Sequence, residues 1–327
     1  METWIGYNRS HAGATTTDET PGPARRPVRG PSAHSVLNRN KNPKLPFHWT
    51  LNPYRGCEFG CRYCYARTTH EYLDVAGEDF ERRIFVKQGA AEILRATLRP
   101  GLLAGKAVAI GTATDPYQAA EIRYGVTRSL LEVLAQAPDL TLAITTKSPL
   151  VVRDIDLLTE IGRRRPVRVN MTITTLDAGL AREIEHRAPS PRRRLEAVRQ
   201  LSEAGVETAL FCCPILPGLT DEERALRALL RAAHSAGAAF AVGSLLHLED
   251  VPKRVWFRWL ERRYPELVAR YRRTYAEDRY GTRDERERVH GLFARLANEV
   301  GFPAWMPVSS REKEFVGRTV GEQARLF

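Results

Sequence analysis

Six short β-branched or apolar runs, each followed by a segment of helical period, constrain this 327-residue chain more than any other feature. The runs are Thr50-Leu51-Asn52, Ala107 to Gly111, Leu140 to Thr145, Val167 to Ile173, Val206 to Cys212 and Phe240 to Leu246. Helices are expected over Gly89 to Leu98, Ala119 to Ala135, Pro149 to Arg163, Pro191 to Ala204 and Asp221 to Ala236. Such alternation builds right-handed βαβ units and a parallel sheet, so the core is expected to be α/β. The helix ends agree. Ser190-Pro191 reads as N-cap and first residue, Thr220-Asp221-Glu222-Glu223 as a capping box, and Gly205 and Gly237 as C-cap glycines. A doubly wound sheet and a barrel both fit the pattern, and both gather chemistry at the C-terminal ends of the strands.

The flanks differ in texture. Residues 8 to 46 are rich in Pro, Gly, Ser, Thr and Asn and carry seven cations against two anions, so they are expected to form a flexible basic arm, within a first segment spanning 1–46. After Leu248 the chain turns helical and charged, with Trp256, Trp259, Leu260 and Tyr264 spaced to line one face. This stripe reads as core. The expected division is arm 1–46, core 47–248, and a helical extension with tail over 249–327.

The formal net charge is +11, and 43 of the 50 cations are arginine. Such a field suits a polyanionic partner, nucleic acid included. No run is apolar enough to span a bilayer, and the N-terminus METWIGYNRS lacks the apolar stretch of a secretory signal, so a cytoplasmic location without a membrane is expected.

The cysteines carry the sharpest signal. There are five, Cys57, Cys61, Cys64, Cys212 and Cys213, too few and too clustered for a disulfide framework. The first three sit just after the first strand, in Asn52-Pro53-Tyr54-Arg55-Gly56-Cys57-Glu58-Phe59-Gly60-Cys61-Arg62-Tyr63-Cys64-Tyr65. Three thiolates from one tight loop can hold three corners of a 4Fe-4S cube and leave one iron open. An open iron can chelate an amine and a carboxylate, bringing a sulfonium within electron-transfer range. That is the requirement for reductive cleavage of S-adenosylmethionine to a 5′-deoxyadenosyl radical, which removes hydrogen from a substrate. The rival reading is a zinc site of these thiols with His70, which would leave a non-catalytic basic module that binds nucleic acid or a sliding clamp. Cys212 and Cys213 alternate faces on an otherwise apolar strand and read as small core residues, one of which could face the cavity.

These residues resemble the radical S-adenosylmethionine superfamily, and within it the spore photoproduct lyase-like branch related to DNA repair photolyases. The likeness runs from about Asn52 to Pro217. It includes the cysteine triplet with Tyr63 and Tyr65, Thr112-Ala113-Thr114-Asp115, Thr145-Thr146-Lys147-Ser148, Thr172-Ile173-Thr174, Pro189-Ser190-Pro191 to Arg194-Leu195, Ala204-Gly205, and Pro214 to Gly218. The resemblance implies a partial (β/α)6 TIM-like barrel, with Cys57, Cys61 and Cys64 on a 4Fe-4S cluster. It further implies that Tyr63, Tyr65, Thr114, Asp115, Lys147 and Thr172 lie around bound S-adenosylmethionine, and that an external electron donor such as flavodoxin or ferredoxin is needed. Damaged or modified nucleic acid is the expected substrate class. One departure stands out. The lyase's hydrogen-returning cysteine aligns with Thr112, whose O–H bond is far stronger than a thiol S–H, so thymine-dimer repair is not expected.

Weaker signals remain. Glu121, Tyr124 and Glu185-His186-Arg187 could line the cavity, and His247 reads as a rim histidine. The C-terminal Gln323-Ala324-Arg325-Leu326-Phe327 resembles peptides that dock on the bacterial sliding clamp.

Overall fold

The computed structural model describes residues 4–8, 36–43, 45–137 and 140–304. In chain order the strands are β1 (Trp4–Asn8), β2 (Leu37–Arg39), β3 (Trp49–Leu51), β4 (Tyr54–Arg55), β5 (Arg83–Lys87), β6 (Lys106–Ile110), β7 (Leu140–Thr146), β8 (Val167–Thr172), β9 (Glu207–Ile215) and β10 (Phe240–Leu245). The helices are α1 (Ala90–Thr97), α2 (Ala119–Tyr124), α3 (Val126–Ala135), α4 (Ile155–Gly162), α5 (Ala178–Ile184), α6 (Pro191–Glu203), α7 (Glu223–Ser235), α8 (Asp250–Arg263), α9 (Val268–Thr274) and α10 (Arg283–Val300).

The main sheet has the order β10-β9-β8-β7-β6-β3-β2, and every pairing from β3 to β10 is parallel. Six parallel strands in sequential order, with helices between them, make the expected partial (β/α)6 arrangement. It is open, ending on β2 and β10. Alternate residues of the central strands serve two environments. Val108, Ile110, Leu142, Ile144, Val169, Met171, Leu210 and Cys212 belong to the core cluster built with Leu130 and Leu134 of α3, Leu158 of α4, Leu201 of α6 and Leu230 of α7. The opposite parity, Ala143, Thr145, Phe211, Cys213 and Ser244, is only partly covered and lines the concave side. Cys212 is therefore core, and Cys213 is the member of the pair on the concave face.

Several expectations are corrected. Within the stretch expected to be a flexible arm, Leu37–Arg39 pairs antiparallel with β3. Before it, Trp4–Asn8 pairs antiparallel with β5, whose other edge takes β4. This small second sheet has no counterpart in the sequence reading, because RIFVK is short and flanked by turns. The helix expected over Ala119 to Ala135 is two helices, broken where Gly125 takes φ 59°. Thr220 does not cap α7. Glu222 does, its carboxylate accepting from Arg224 N and Ala225 N, while the Thr220 hydroxyl accepts from Leu216 N.

The C-terminal helices divide their work. Trp256, Trp259 and Leu260 of α8 and Tyr271 of α9 form a second core with Cys57, Phe59, Cys61 and Tyr63, so the aromatic stripe is interior as expected. Helix α10 instead joins the main core: Phe293 packs so closely on Gly243 of β10 that a Cβ there would lie 2.5 Å from its ring. Among the described residues no helix is long and apolar enough to cross a membrane.

Candidate functional site

The cysteine loop leaves β4 through Gly56, which takes φ 82° and packs its Cα against the backbone carbonyls of Arg83 and Phe80. Cys57 N donates to Phe80 O at 3.0 Å, tying the loop to the segment that leads into β5. Gly60, at φ 62°, turns the chain back towards Cys61, and Cys64 then leads into a 3-10 helix over Tyr65–Leu73. Arg67 in that helix donates twice to Cys61 O, at 3.2 and 3.1 Å, and pairs with Glu81 at 2.5 Å.

A second set of bonds clamps the loop to the segment after β6. The Thr114 hydroxyl donates to Gly56 O at 2.5 Å, and Gln118 Nε2 donates to the same oxygen at 3.2 Å. Glu58 N donates to Gln118 Oε1 at 2.8 Å, and the Glu58 carboxylate accepts from Ala120 N at 2.6 Å, so the loop and the start of α2 fix each other. Gln118 escaped the sequence reading because it sits outside every motif. Asn52, at the end of the first strand run, donates to Thr112 Oγ1 at 3.1 Å and accepts from Ala113 N at 2.9 Å, a tie that its place in the sequence does not reveal.

Beside Cys61 lies a buried polar cluster. Glu185 accepts from the Tyr63 hydroxyl, from Thr174 Oγ1 at 3.2 Å, and from Arg194 at 2.5 Å. Arg194 also donates to Thr172 O at 3.0 Å and to Pro189 O at 2.7 Å. Both members of this ion pair are 1% exposed. Burial alone would raise the Glu185 pKa, but Arg194 and Lys147 overcome it and hold the carboxyl below its ordinary range. The Lys147 ammonium lies 5.7 Å from the centre of the Tyr63 ring. Burial disfavours its charge, yet Cys61, Glu185 and Asp115 more than compensate and raise its pKa.

Each sequence-predicted residue has a definite place. Asp115 is saturated by the chain itself, one oxygen accepting from Thr146 Oγ1 and Tyr117 N and the other from Lys147 N at 2.7 Å. Burial raises its pKa against these donors. Tyr65 is 53% exposed, with its hydroxyl on Thr112 O and its ring stacked towards His247, which in turn stacks on Tyr280 at 4.6 Å. Thr172 is buried at the end of β8. Glu121 is not part of the site. It accepts from the Tyr54 hydroxyl, Thr127 N and Arg153 and thereby anchors α3, while Tyr124 packs on the main core. Glu185 does belong to the site, and His186 and Arg187 cover the outside of the loop. Residues 323–327, the clamp-like peptide, lie outside the described residues.

The donor set fits an iron-sulfur cube better than a single ion. The three thiols are unpaired. Burial drives all of them up, Cys61 to about 12, so only a bound cation would turn them into thiolates. His70 is occupied elsewhere, with Nε2 2.9 Å from Arg83 O and its ring edge-on to Phe80 and Phe85. Among the described residues, no three His, Cys, Asp or Glu side chains converge as ligands of one ion would. Thiolates on one zinc would stand about 3.8 Å apart, from a Zn–S bond of about 2.3 Å, whereas corners of a cube spread them more widely.

Comparison with known proteins agrees. A family model described as the radical SAM superfamily matches residues 51–230. An uncharacterized protein of Mycobacterium tuberculosis is 40% identical over 265 residues, covering 80% of this chain and 77% of the relative. An uncharacterized protein of Methanocaldococcus jannaschii is 29% identical over 195 residues, covering 58% and 68%. Among solved structures, spore photoproduct lyase complexed with dinucleoside spore photoproduct aligns at TM-score 0.61 and 17% identity, covering 81% of this chain and 77% of that one. A mutant of that lyase with bound AdoMet and the same dinucleoside aligns at TM-score 0.58, again at 17% identity. At such identity the likeness is one of fold.

Proposed function

Because the chain belongs to the radical SAM superfamily, we propose that Cys57, Cys61 and Cys64 hold its 4Fe-4S cluster and that the strand ends beside them receive S-adenosylmethionine. Bound there, the cluster and cofactor would supply one-electron reductive chemistry and hydrogen abstraction from a substrate. The observation that carries this reading is the unpaired thiol triplet, Cys57 and Cys61 buried and Cys64 half-buried, with Cys61 beside the Lys147–Glu185–Arg194 cluster.

The chain's own residues then have separable tasks. Thr114, Gln118 and Glu58 keep the cysteine loop rigid, which preorganises the three sulfurs. Asp115 orients the backbone of Lys147, placing a cation where a carboxylate would be held. Tyr63, fixed by Glu185, offers a ring face beside that cation, and Tyr65 stands at the open side. The loop and the α8–α9 aromatic core keep water away from Cys57 and Cys61.

For the substrate we favour damaged or modified nucleic acid, supported by the net charge of +11 and by the fold shared with a lyase whose solved complexes contain a dinucleoside photoproduct. The lyase's own repair cycle is not carried over, since Thr112 occupies the hydrogen-returning position. Anaerobic reconstitution should yield about four irons and four sulfides per chain. Cys61→Ala should lose both the brown chromophore and dithionite-driven 5′-deoxyadenosine formation. A variant that still makes 5′-deoxyadenosine, or a wild type holding only zinc, would overturn the assignment. Deuterated nucleic acids test the substrate class, because label must then appear in 5′-deoxyadenosine.

A further inference from the structure

The outer face of the cysteine loop is tied to the end of α5 and the segment after it. Arg62 N donates to Ile184 O at 2.9 Å, and Arg187 N donates to Phe59 O at 3.3 Å. Between these two ties, His186 lies directly on Gly60, with its ring 2.5 Å from where a Cβ would stand. His186 is itself exposed, so a body touching it is one loop away from Cys57 and Cys61.

This face carries uncompensated positive charge. Arg62, whose Nε donates to Glu183 O at 2.7 Å, has Arg262 close enough to oppose its charge, while burial first, then Arg187 and Arg62, hold His186 towards its neutral form. Arg187 also reaches Glu81 O at 3.3 Å, next to the exposed Arg82. The nearby carboxylates are already engaged, Glu81 with the buried Arg67 and Glu183 with Arg263. Elsewhere the described surface behaves differently. Arg227 and Arg295 are matched by Glu223 and Glu299, and Arg199 by Glu196 and Glu203, so an arginine-rich composition does not by itself leave charge unpaired.

We propose that Arg62, Arg82, Arg187 and Arg262 form the docking face for a small acidic protein that carries a low-potential one-electron cofactor. The inference rests on membership of the radical SAM superfamily, whose enzymes take a single electron from a separate donor. In the step itself the carrier loses one electron and the cluster gains it, with no proton or atom exchanged. Charge complementarity accelerates encounter, and the face lies on the outside of the cysteine loop, against Gly60 between Cys57 and Cys61. A nucleic acid is the less suitable occupant. A substrate must approach the Tyr65–Thr112 side, where the strand ends open, and not the outside of the loop.

The test uses Arg82→Glu and Arg262→Glu, singly and together, because neither side chain makes a hydrogen bond or ion pair among the described residues. Arg231→Glu on α7 is the control for net charge. Binding of oxidised bacterial flavodoxin is measured by calorimetry, and reduction of the iron-sulfur chromophore by stopped-flow absorbance. The double variant should bind flavodoxin and be reduced by it at least tenfold more weakly at low salt. The difference should shrink at 0.5 M salt, where the screening length falls to about 4 Å. Reduction by methyl viologen radical, a small cation, should not be slowed. Equal effects from Arg231→Glu would overturn the proposal, as would lost nucleic-acid affinity with unchanged flavodoxin binding. Failure of wild-type protein to hold iron and sulfide would instead sink the superfamily chemistry, independently of the docking face.

Discussion

Glu185→Gln isolates the polar cluster beside Cys61. The glutamine keeps the shape and can still accept from Tyr63 and Thr174, but it leaves the Arg194 guanidinium buried at 1% exposure without a counter-charge. Breaking one side of a buried pair typically costs about 3–5 kcal/mol. For a chain of this size that corresponds to a fall in Tm on the order of 10 °C, read by differential scanning calorimetry on the metal-free protein. Glu196→Gln, which removes an exposed pairing with Arg199, should move Tm by no more than about 2 °C and serves as reference. The double variant Glu185→Gln, Arg194→Gln removes both charges, so its loss should fall short of the sum of the single losses by about 1–3 kcal/mol. The pH dependence has a fixed sign. Glu185 has a folded pKa below its ordinary 4.5, so the pairing contributes fully above that pH and is lost as the pH drops through the lowered value. The gap between wild type and Glu185→Gln should therefore be constant across neutral pH and close only in acid. Additive single losses, or a single-variant loss no larger than that of Glu196→Gln, would refute the argument.

Gly56→Ala should destabilise the cysteine loop and cut reconstituted iron to less than half of wild type. Its Cβ would meet Arg83 O at 2.7 Å and Phe80 O at 2.9 Å, on top of about 1–2 kcal/mol for the left-handed backbone. Gly101→Ala has a similar φ and open space around it, so it should keep its iron. Asp115→Asn turns an amide donor towards one of three donors, at a cost of about 1–3 kcal/mol. The Kd for S-adenosylmethionine, measured by equilibrium dialysis on iron-loaded protein, should rise several-fold while iron content stays, and unchanged affinity would remove Asp115 from the site.

What the sequence made legible was what is periodic or locally coded. All six parallel strands fall within a few residues of their expected positions, because each is a short apolar or β-branched run with at least one face in the core. The cysteine spacing located the loop for the same reason, since three ligands within eight residues leave a signature in one dimension. The second sheet was invisible because its three strands are separated by tens of residues and the longest has five. The pattern of residues 220–223 points to Thr220 as the cap of α7, whereas Glu222 lies nearer the first free N–H groups and takes them.

The site residues show where reasoning by motif stops. Thr114 and Asp115 were expected to face the cofactor, yet both spend their polar atoms on the protein: one pins the cysteine loop, the other sets the backbone of Lys147. Their contribution is therefore positional. Neighbouring strand ends are tied into one frame, so a shift at Asp115 is transmitted to Lys147 and, through Glu185, to Tyr63. Gln118 completes this frame by holding both Gly56 O and Glu58 N with one amide, a role that a short motif search cannot reveal because it depends on two groups about sixty residues away. A frame built from buried, mutually saturated bonds leaves the Lys147 ammonium, the Tyr65 ring and the partly covered face of β7 to β10 as the groups free to meet a ligand.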